Sequence, residues 1–146
     1  MLASSVGAMG PEDQLQLVSL RYTGNWNSRP YATHVWSQEV RFRTSIDVRL
    51  DGTLRSGIAL TDRRLFELPI AVLSGDMRFR LSQVERMNLK KWVESGGFLI
   101  VDNTGLTRPS ESCDQTHRAQ FKTKFPGRPR IKIPPSNVLF STQKKL

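Results

Sequence analysis

The sequence predicts an α/β protein with a single open, mostly parallel β-sheet flanked by helices. Two continuous apolar runs, residues 70–73 (IAVL) and 98–101 (FLIV), are typical of strands buried on both faces. A helical pattern lies between them, and strand, helix and strand with short joins form a right-handed crossover with parallel strands. The 146 residues, of which 38% are hydrophobic, are enough for one buried core.

The first predicted strand comes from the apolar residues within 15–20. Tyr22 and the turn-prone pair Gly24-Asn25 close this run. The pattern therefore indicates a buried strand followed by a loop.

A helix is predicted after Pro30, and Ser28 is close enough to cap it. Arg41 and Arg43 stand in its last turns, where the helix dipole favours cations. The spacing predicts that its apolar residues form the side that covers the sheet. These residues are Ala32, Val35, Trp36 and Val40.

The middle of the chain carries the clearest local signals. Residues 57–60 indicate a short strand, after which Asp62 opens a turn or a single helical coil. Ser82 and Glu85 then stand three apart, as in a capping box, before a helix whose apolar stripe is Leu89, Trp92 and Val93. The pair Gly96-Gly97 predicts the end of that helix, because glycine enters the left-handed conformation without steric penalty.

The C-terminal part is basic and poor in regular patterns. Residues 107–146 hold nine Lys and Arg against two Asp and Glu, and so carry +7 of the net charge of +9. One helix is predicted over 112–124, and four prolines prevent regular continuation. A solvated segment and a surface for phosphate or anionic lipid are both compatible with this charge.

The domain organisation predicted is a flexible segment over 1–14, one α/β domain over 15–141 and a basic tail over 142–146. No run approaches the roughly 20 apolar residues of a membrane-spanning helix. The sequence as it stands suits the cytoplasm, whereas a truncated secretory signal before Gly10 would place the protein in the cell envelope or outside the cell. The compartment stays open.

A candidate ligand site is predicted at the carboxyl ends of the parallel strands, where loops and helix N-termini converge. A packing role is the alternative, in which Trp26 packs across loops and Asp102 caps a turn. The candidate ligand-binding residues are Arg21, Tyr22, Trp26, Asn27, Ser74, Gly75, Asp102 and Asn103.

No motif predicts a cofactor, a metal or a catalytic residue. Cys113 is the only cysteine, and with two histidines it offers little for a zinc site. His117 stands four residues after Cys113, but no third orienting group accompanies the pair. Single glycines at the strand ends give neither a dinucleotide fingerprint nor a P-loop.

Several short motifs follow one another along most of the chain. They are Leu20-Arg21-Tyr22, Gly24, Trp26, Pro30, Leu65-Phe66, Pro69, Leu73-Ser74-Gly75, Phe79-Arg80-Leu81-Ser82, Gly96-Gly97-Phe98-Leu99, Asp102, Phe125-Pro126-Gly127-Arg128-Pro129 and Ile133-Pro134. In this order they resemble a bacterial family of unknown function in the class I glutamine-amidotransferase-like superfamily. The resemblance implies a flavodoxin-like fold, and it implies membrane-anchored von Willebrand-type and ATPase proteins as partners.

Two departures from that family bear on activity and completeness. The superfamily places its nucleophilic cysteine on the turn after a central strand, whereas Ser74-Gly75 and Asp102-Asn103 occupy those positions here. Glutaminase activity is therefore not expected. Residues 136–138 (SNV) stand where the family pattern reads Asp-His-Pro, which predicts a shortened or degenerate member that lacks its final sheet elements.

Three functions remain open at this point. The first is a non-catalytic module that binds a ligand or a protein. The second is a hydrolase-type enzyme that uses Asp102 with Ser74 or a bound metal. The third is a binder of nucleic acid or acidic surfaces through the basic C-terminal residues. These are Lys122, Lys124, Arg128, Arg130 and Lys132.

Overall fold

The computed structural model confirms an α/β fold with a parallel sheet. It describes residues 14–49, 57–104, 118–119, 121–122, 127 and 131–137. The strands are β1 (Leu17–Arg21), β2 (Ile58–Ala59), β3 (Ile70–Gly75) and β4 (Phe98–Asn103), and the helices are α1 (Ala32–Arg43) and α2 (Gln83–Glu94). A short 3-10 helix, Arg63–Glu67, precedes β3.

The four described strands form one sheet in the order β2-β1-β3-β4, and every pair is parallel. The crossovers through α1 and α2 lead outwards from the centre in opposite directions. Because such crossovers are right-handed, the two helices lie on opposite faces of the sheet. Their loops meet at the carboxyl ends of the strands.

The main hydrophobic core lies between α2 and the sheet. Trp92 is the largest of its fully buried side chains, and its indole nitrogen donates a hydrogen bond of 2.8 Å to the carbonyl oxygen of Leu68. The core contains Val18, Leu20, Tyr22, Ile58, Leu60, Leu65, Leu68, Ala71, Leu73, Phe79, Leu81, Leu89 and Trp92.

Helix α2 begins and ends as its sequence predicts. The hydroxyl of Ser82 accepts from the backbone N–H of Glu85, and the Glu85 carboxylate accepts from the backbone N–H of Ser82. After the helix, Gly96 has a φ of 106°. Gly97 lies so close to Trp92 that an added Cβ would be 2.2 Å from the indole ring. The second glycine is therefore required by packing.

Helix α1 departs from the prediction in its cap and in its buried side. Tyr31 precedes the helix without a side-chain cap, and the Ser28 hydroxyl instead accepts a hydrogen bond from Thr104. Ser37 is buried, and its hydroxyl bonds the carbonyl oxygen of Thr33. Of the four residues predicted to face the sheet, Val35 and Trp36 are exposed, whereas Ala32 and Val40 are half-buried. Ser37 thus takes a buried position on α1 that the apolar pattern did not predict.

The structure also bears on the predictions for the short strand, the coil after it, the last strand and the C-terminal helix. The short strand predicted within 57–60 is β2, and the predicted coil after it is the 3-10 helix, which Asp62 caps by accepting from the N–H of Arg64. Strand β4 continues through Asp102 and Asn103, two residues beyond the apolar run. Phe121, within the helix predicted over 112–124, is helical and packs against the core.

Candidate functional site at the carboxyl ends of the strands

The loop over residues 22–31 crosses the carboxyl ends of the neighbouring strands and contacts each of them. Its first residue, Tyr22, is buried, and its hydroxyl donates a hydrogen bond of 2.8 Å to the carbonyl oxygen of Ser74. The Tyr22 ring also packs against Phe79, with 4.3 Å between the ring centroids. Tyr22 thus ties the end of β1 to β3 and to the loop beyond it.

The middle of the loop is anchored on two sides. The amide of Asn25 donates to the carboxylate of Asp76, at 2.8 Å, just after β3. Trp26 is half-buried against the core, and its ring lies beside Gly57, which has a φ of 69°. A Cβ on Gly57 would lie 2.9 Å from that ring, so the glycine makes room for Trp26.

The last part of the loop contacts the end of β4. Arg29 Nε lies 3.9 Å from Asp102 Oδ2, and the hydroxyl of Thr104 donates to the hydroxyl of Ser28 at 2.7 Å. The backbone N–H of Thr104 continues the ladder to the carbonyl oxygen of Gly75. The Asp102 side chain remains 23% exposed, so a ligand can still reach it.

A second ion pair lies beyond the end of β2. Asp62 accepts two kinds of hydrogen bond from Arg64, one from its guanidinium and one from its backbone N–H, and these lower the pKa of Asp62 to about 2. The charge of Arg21, at the end of β1, makes a smaller contribution to the same lowering of the Asp62 pKa. The same carboxylate raises the pKa of Arg64.

All the candidate residues lie at the ends of β1, β3 and β4 or in the loop that follows β1, but they differ in solvent exposure. Tyr22, Ser74 and Gly75 are buried, while Trp26 and Asp102 are half-buried. The exposed members are Arg21, Asn27 and Asn103. A role for these residues in ligand binding stays a prediction.

The pair invoked for a hydrolase is adjacent in the sheet, since Ser74 and Asp102 are register partners in β3 and β4. Ser74 is only 5% exposed, which leaves its hydroxyl little access to a substrate. The other predicted pair, Cys113 and His117, lies outside the described residues. So do Lys124, Arg128 and Arg130 of the basic segment, whereas Lys122 and Lys132 are exposed.

Sequence reasoning missed five residues that shape this edge: Asn25, Ser28, Arg29, Arg64 and Thr104. The sequence did contain a signal for Arg64. Residues 57–60 were predicted to form a strand, and the residues just beyond that strand also lie at the carboxyl edge of the sheet. Asn25, Ser28 and Arg29 lie within the loop after β1, but no local pattern distinguishes a bracing residue from a solvated one.

The described part of the chain contains no group of three or more His, Cys, Asp and Glu side chains arranged to hold a metal ion. It also contains no helix with the length and hydropathy required to cross a membrane.

The model of a family described as a domain of unknown function, DUF4159, matches residues 16–146. The chain belongs to the DUF4159 family. A search of curated proteins finds no match to it. The matched region of this DUF4159 domain includes every strand and helix of the sheet and every candidate residue at its carboxyl edge.

Proposed function

We propose that this DUF4159 domain is a non-catalytic protein-interaction module that contacts its partner through the outer face of α1. The observation that carries the proposal is a stripe of apolar side chains on that face. Val35 and Phe42 of α1 are 48% and 83% exposed, and Tyr31, which immediately precedes the helix, is 71% exposed. Single exposed apolar residues are ordinary, but several on one face of a helix are typical of an interaction surface.

The inner face of α1 supports the same interpretation. Ser37 is the buried residue of α1 and Thr33 is half-buried, whereas Val35, Trp36 and Phe42 are exposed. A helix that serves only to cover a sheet buries its large apolar residues instead. The arrangement in α1 is explained if a second protein surface covers the outer stripe.

The pairing of acidic groups at the carboxyl edge supports a role without catalysis. Asp62 is held by Arg64, Asp76 accepts from Asn25, and Asp102 lies beside Arg29. A general base requires a carboxylate that can reach the proton of a substrate with a suitably raised pKa, whereas the Asp62 pKa is lowered. These groups are better suited to fixing loops.

The proposal also names a specific type of α/β fold and a class of partner proteins. We infer a flavodoxin-like, glutamine-amidotransferase-like fold of bacterial origin, and the strand order β2-β1-β3-β4 supports the fold because flavodoxin-like sheets are ordered 2-1-3-4-5. The resemblance of the sequence motifs supports membrane-anchored von Willebrand-type and ATPase assembly proteins as partners. Glutaminase chemistry is not part of the proposal, since Ser74-Gly75 stand at the central strand end.

The test compares substitutions on the two surfaces. Val35→Asp and Phe42→Asp should each abolish association, either with the soluble domain of a von Willebrand-type partner or of the chain with itself. Asp102→Asn is the matched control at the carboxyl edge and should leave association unchanged. Circular dichroism should show that all three variants remain folded.

The proposal is wrong if both α1 variants associate as the parent does. If Asp102→Ala and Trp26→Ala instead weaken binding of a small molecule without unfolding the domain, the ligand-binding alternative at the strand ends is correct.

A further inference from the structure

The loop that follows β1 is joined to two other strand ends through side chains alone. Residues 23–30 of this loop form a strap. The Asn25 amide donates to the Asp76 carboxylate beyond β3. The Ser28 hydroxyl accepts from Thr104 beyond β4. Among the described residues, the backbone of the strap bonds only within itself and to the start of α1, so the strap can lift without breaking a hydrogen bond between strands.

Ser74, at the end of β3, lies between the places where the strap is attached. On one side, β1 leads through Tyr22 into the strap, and the Tyr22 hydroxyl donates to the carbonyl oxygen of Ser74. On the other side, Asp102 is the register partner of Ser74 in β4 and lies 3.9 Å from Arg29 of the strap. Ser74 and Tyr22 are buried, whereas none of the strap residues is. The strap is thus a thin layer across the ends of β1 and β3.

The strap turns at Gly24, beside the ring of Tyr22. Gly24 has a φ of 152°, and a Cβ there would lie 2.6 Å from that ring. Glycine therefore allows this close approach, and it also supplies the backbone freedom of a hinge. At the other end, the carbonyl oxygen of Arg29 accepts from the first N–H of α1, that of Ala32. The strap can swing at Gly24 while α1 keeps its place.

The contacts that hold the strap are polar and lie near the surface. The hydrogen bond of Asn25 is exposed, and so is the Arg29 side chain in its ion pair with Asp102. Such contacts contribute little each, so together they favour the attached strap and still allow its release. Trp26 adds one half-buried apolar contact. Segments that bury so little apolar surface are those that open locally.

We infer that the strap is an autoinhibitory cover, which opens when its side-chain contacts are released. An open α/β sheet binds ligands between neighbouring strands whose crossovers lead in opposite directions. In the order β2-β1-β3-β4 these strands are β1 and β3, and the strap lies across their ends. Opening exposes the Ser74 hydroxyl and the Asp102 carboxylate together. This inference does not depend on the partner surface proposed for α1.

Thiol labelling of Ser74→Cys measures the opening. In a Cys113→Ser background this variant should react slowly with methyl methanethiosulfonate, and the rate should depend little on low concentrations of urea, since opening exposes little surface. Val72→Cys, buried in the same strand, is the comparison, because its exposure requires global unfolding. It should react more slowly still, with a steep dependence on urea. Circular dichroism should show that both variants are folded.

Asn25→Ala and Ser28→Ala each remove one contact of the strap. Each should raise the labelling rate of Ser74→Cys about two- to tenfold, the factor that corresponds to the loss of one hydrogen bond. Asn27→Ala is the matched control, because this exposed asparagine of the strap makes no side-chain hydrogen bond with the described residues. It should leave the rate unchanged.

Three outcomes overturn the inference. If Ser74→Cys and Val72→Cys react at the same rate with the same dependence on urea, Ser74 is exposed by global unfolding alone. If Ser74→Cys reacts as fast as Val84→Cys, at an exposed position of α2, the strap covers nothing. If Asn25→Ala and Ser28→Ala leave the labelling rate unchanged, the contacts of the strap do not control access.

Discussion

The hydroxyl of Tyr22, one residue beyond β1, donates a hydrogen bond of 2.8 Å to the carbonyl oxygen of Ser74 in β3. This bond joins the ends of two adjacent strands at the edge where an open α/β sheet commonly binds ligands. The buried ring of Tyr22 also contacts Phe79. A residue predicted to bind a ligand thus has a structural role.

Tyr22→Phe should lower the free energy of unfolding by about 0.5–1.5 kcal/mol, because it removes the hydrogen bond and retains the ring contact. Tyr22→Ala should cost more, since it also removes the contact with Phe79. Urea denaturation measures both. An unchanged midpoint for Tyr22→Phe would mean that the bond to Ser74 contributes nothing to stability.

Trp92→Ala should lower the free energy of unfolding by about 3–5 kcal/mol, as deletion of a large buried aromatic side chain does. Trp92→Phe is the control that retains most of the packing but removes the indole bond to Leu68, and it should cost distinctly less. Thermal unfolding of Trp92→Ala within a degree or two of the parent would contradict the burial of this side chain.

Gly97→Ala should destabilise the domain by about 1–3 kcal/mol, the usual cost of overpacking a filled core. The reason is that its Cβ would lie 2.2 Å from the Trp92 ring. Gly127→Ala is the matched control, because a Cβ there has no neighbour within 4 Å. Equal stability of the two variants in urea would refute the steric explanation.

Acid should weaken the start of the 3-10 helix through Asp62. The pKa of this carboxyl is lowered from 3.8 to about 2 by Arg64, so its charged form is favoured in the folded state. The resulting stability is fully present above about pH 4 and is lost as the pH falls towards about 2. Asp62→Asn should remove this component of the pH dependence.

The measurement is the urea midpoint of the parent and of Asp62→Asn from about pH 5 down to about pH 2. The difference between the two proteins isolates Asp62 from the other carboxylates, which titrate in both. A difference that stays constant across this range would contradict the assignment of the lowered pKa to the Asp62–Arg64 pair.

Local signals in the sequence predicted most of the described fold. The runs at 70–73 and 98–101 became β3 and β4. Only β3 is buried as predicted, whereas β4 lies at the edge of the described sheet and leaves Phe98 and Val101 exposed. The capping box of Ser82 and Glu85 located α2, because it is formed by residues three apart. Such signals survive folding because the interactions that produce them lie within one turn or one strand.

The sequence could not predict which side of α1 faces the sheet. Apolar periodicity favoured Val35 and Trp36, whereas the structure exposes both and buries Ser37. Hydrophobic patterning assumes that a helix has one partner surface. This assumption fails in α1, where a small polar residue takes a buried position and two of the predicted apolar residues are exposed.

The sequence by itself determined the α/β class, the parallel crossover between β3 and β4, the ends of α2 and the strand ends at which a site is expected. Only the tertiary structure decided that β1 lies between β2 and β3, that Tyr22, Asn25 and Arg29 brace the carboxyl edge, and that α1 exposes its apolar stripe. The physical reason is distance along the chain. Caps and strands depend on neighbours in sequence, whereas the bracing contacts join residues more than fifty positions apart, and their geometry exists only once the sheet has formed.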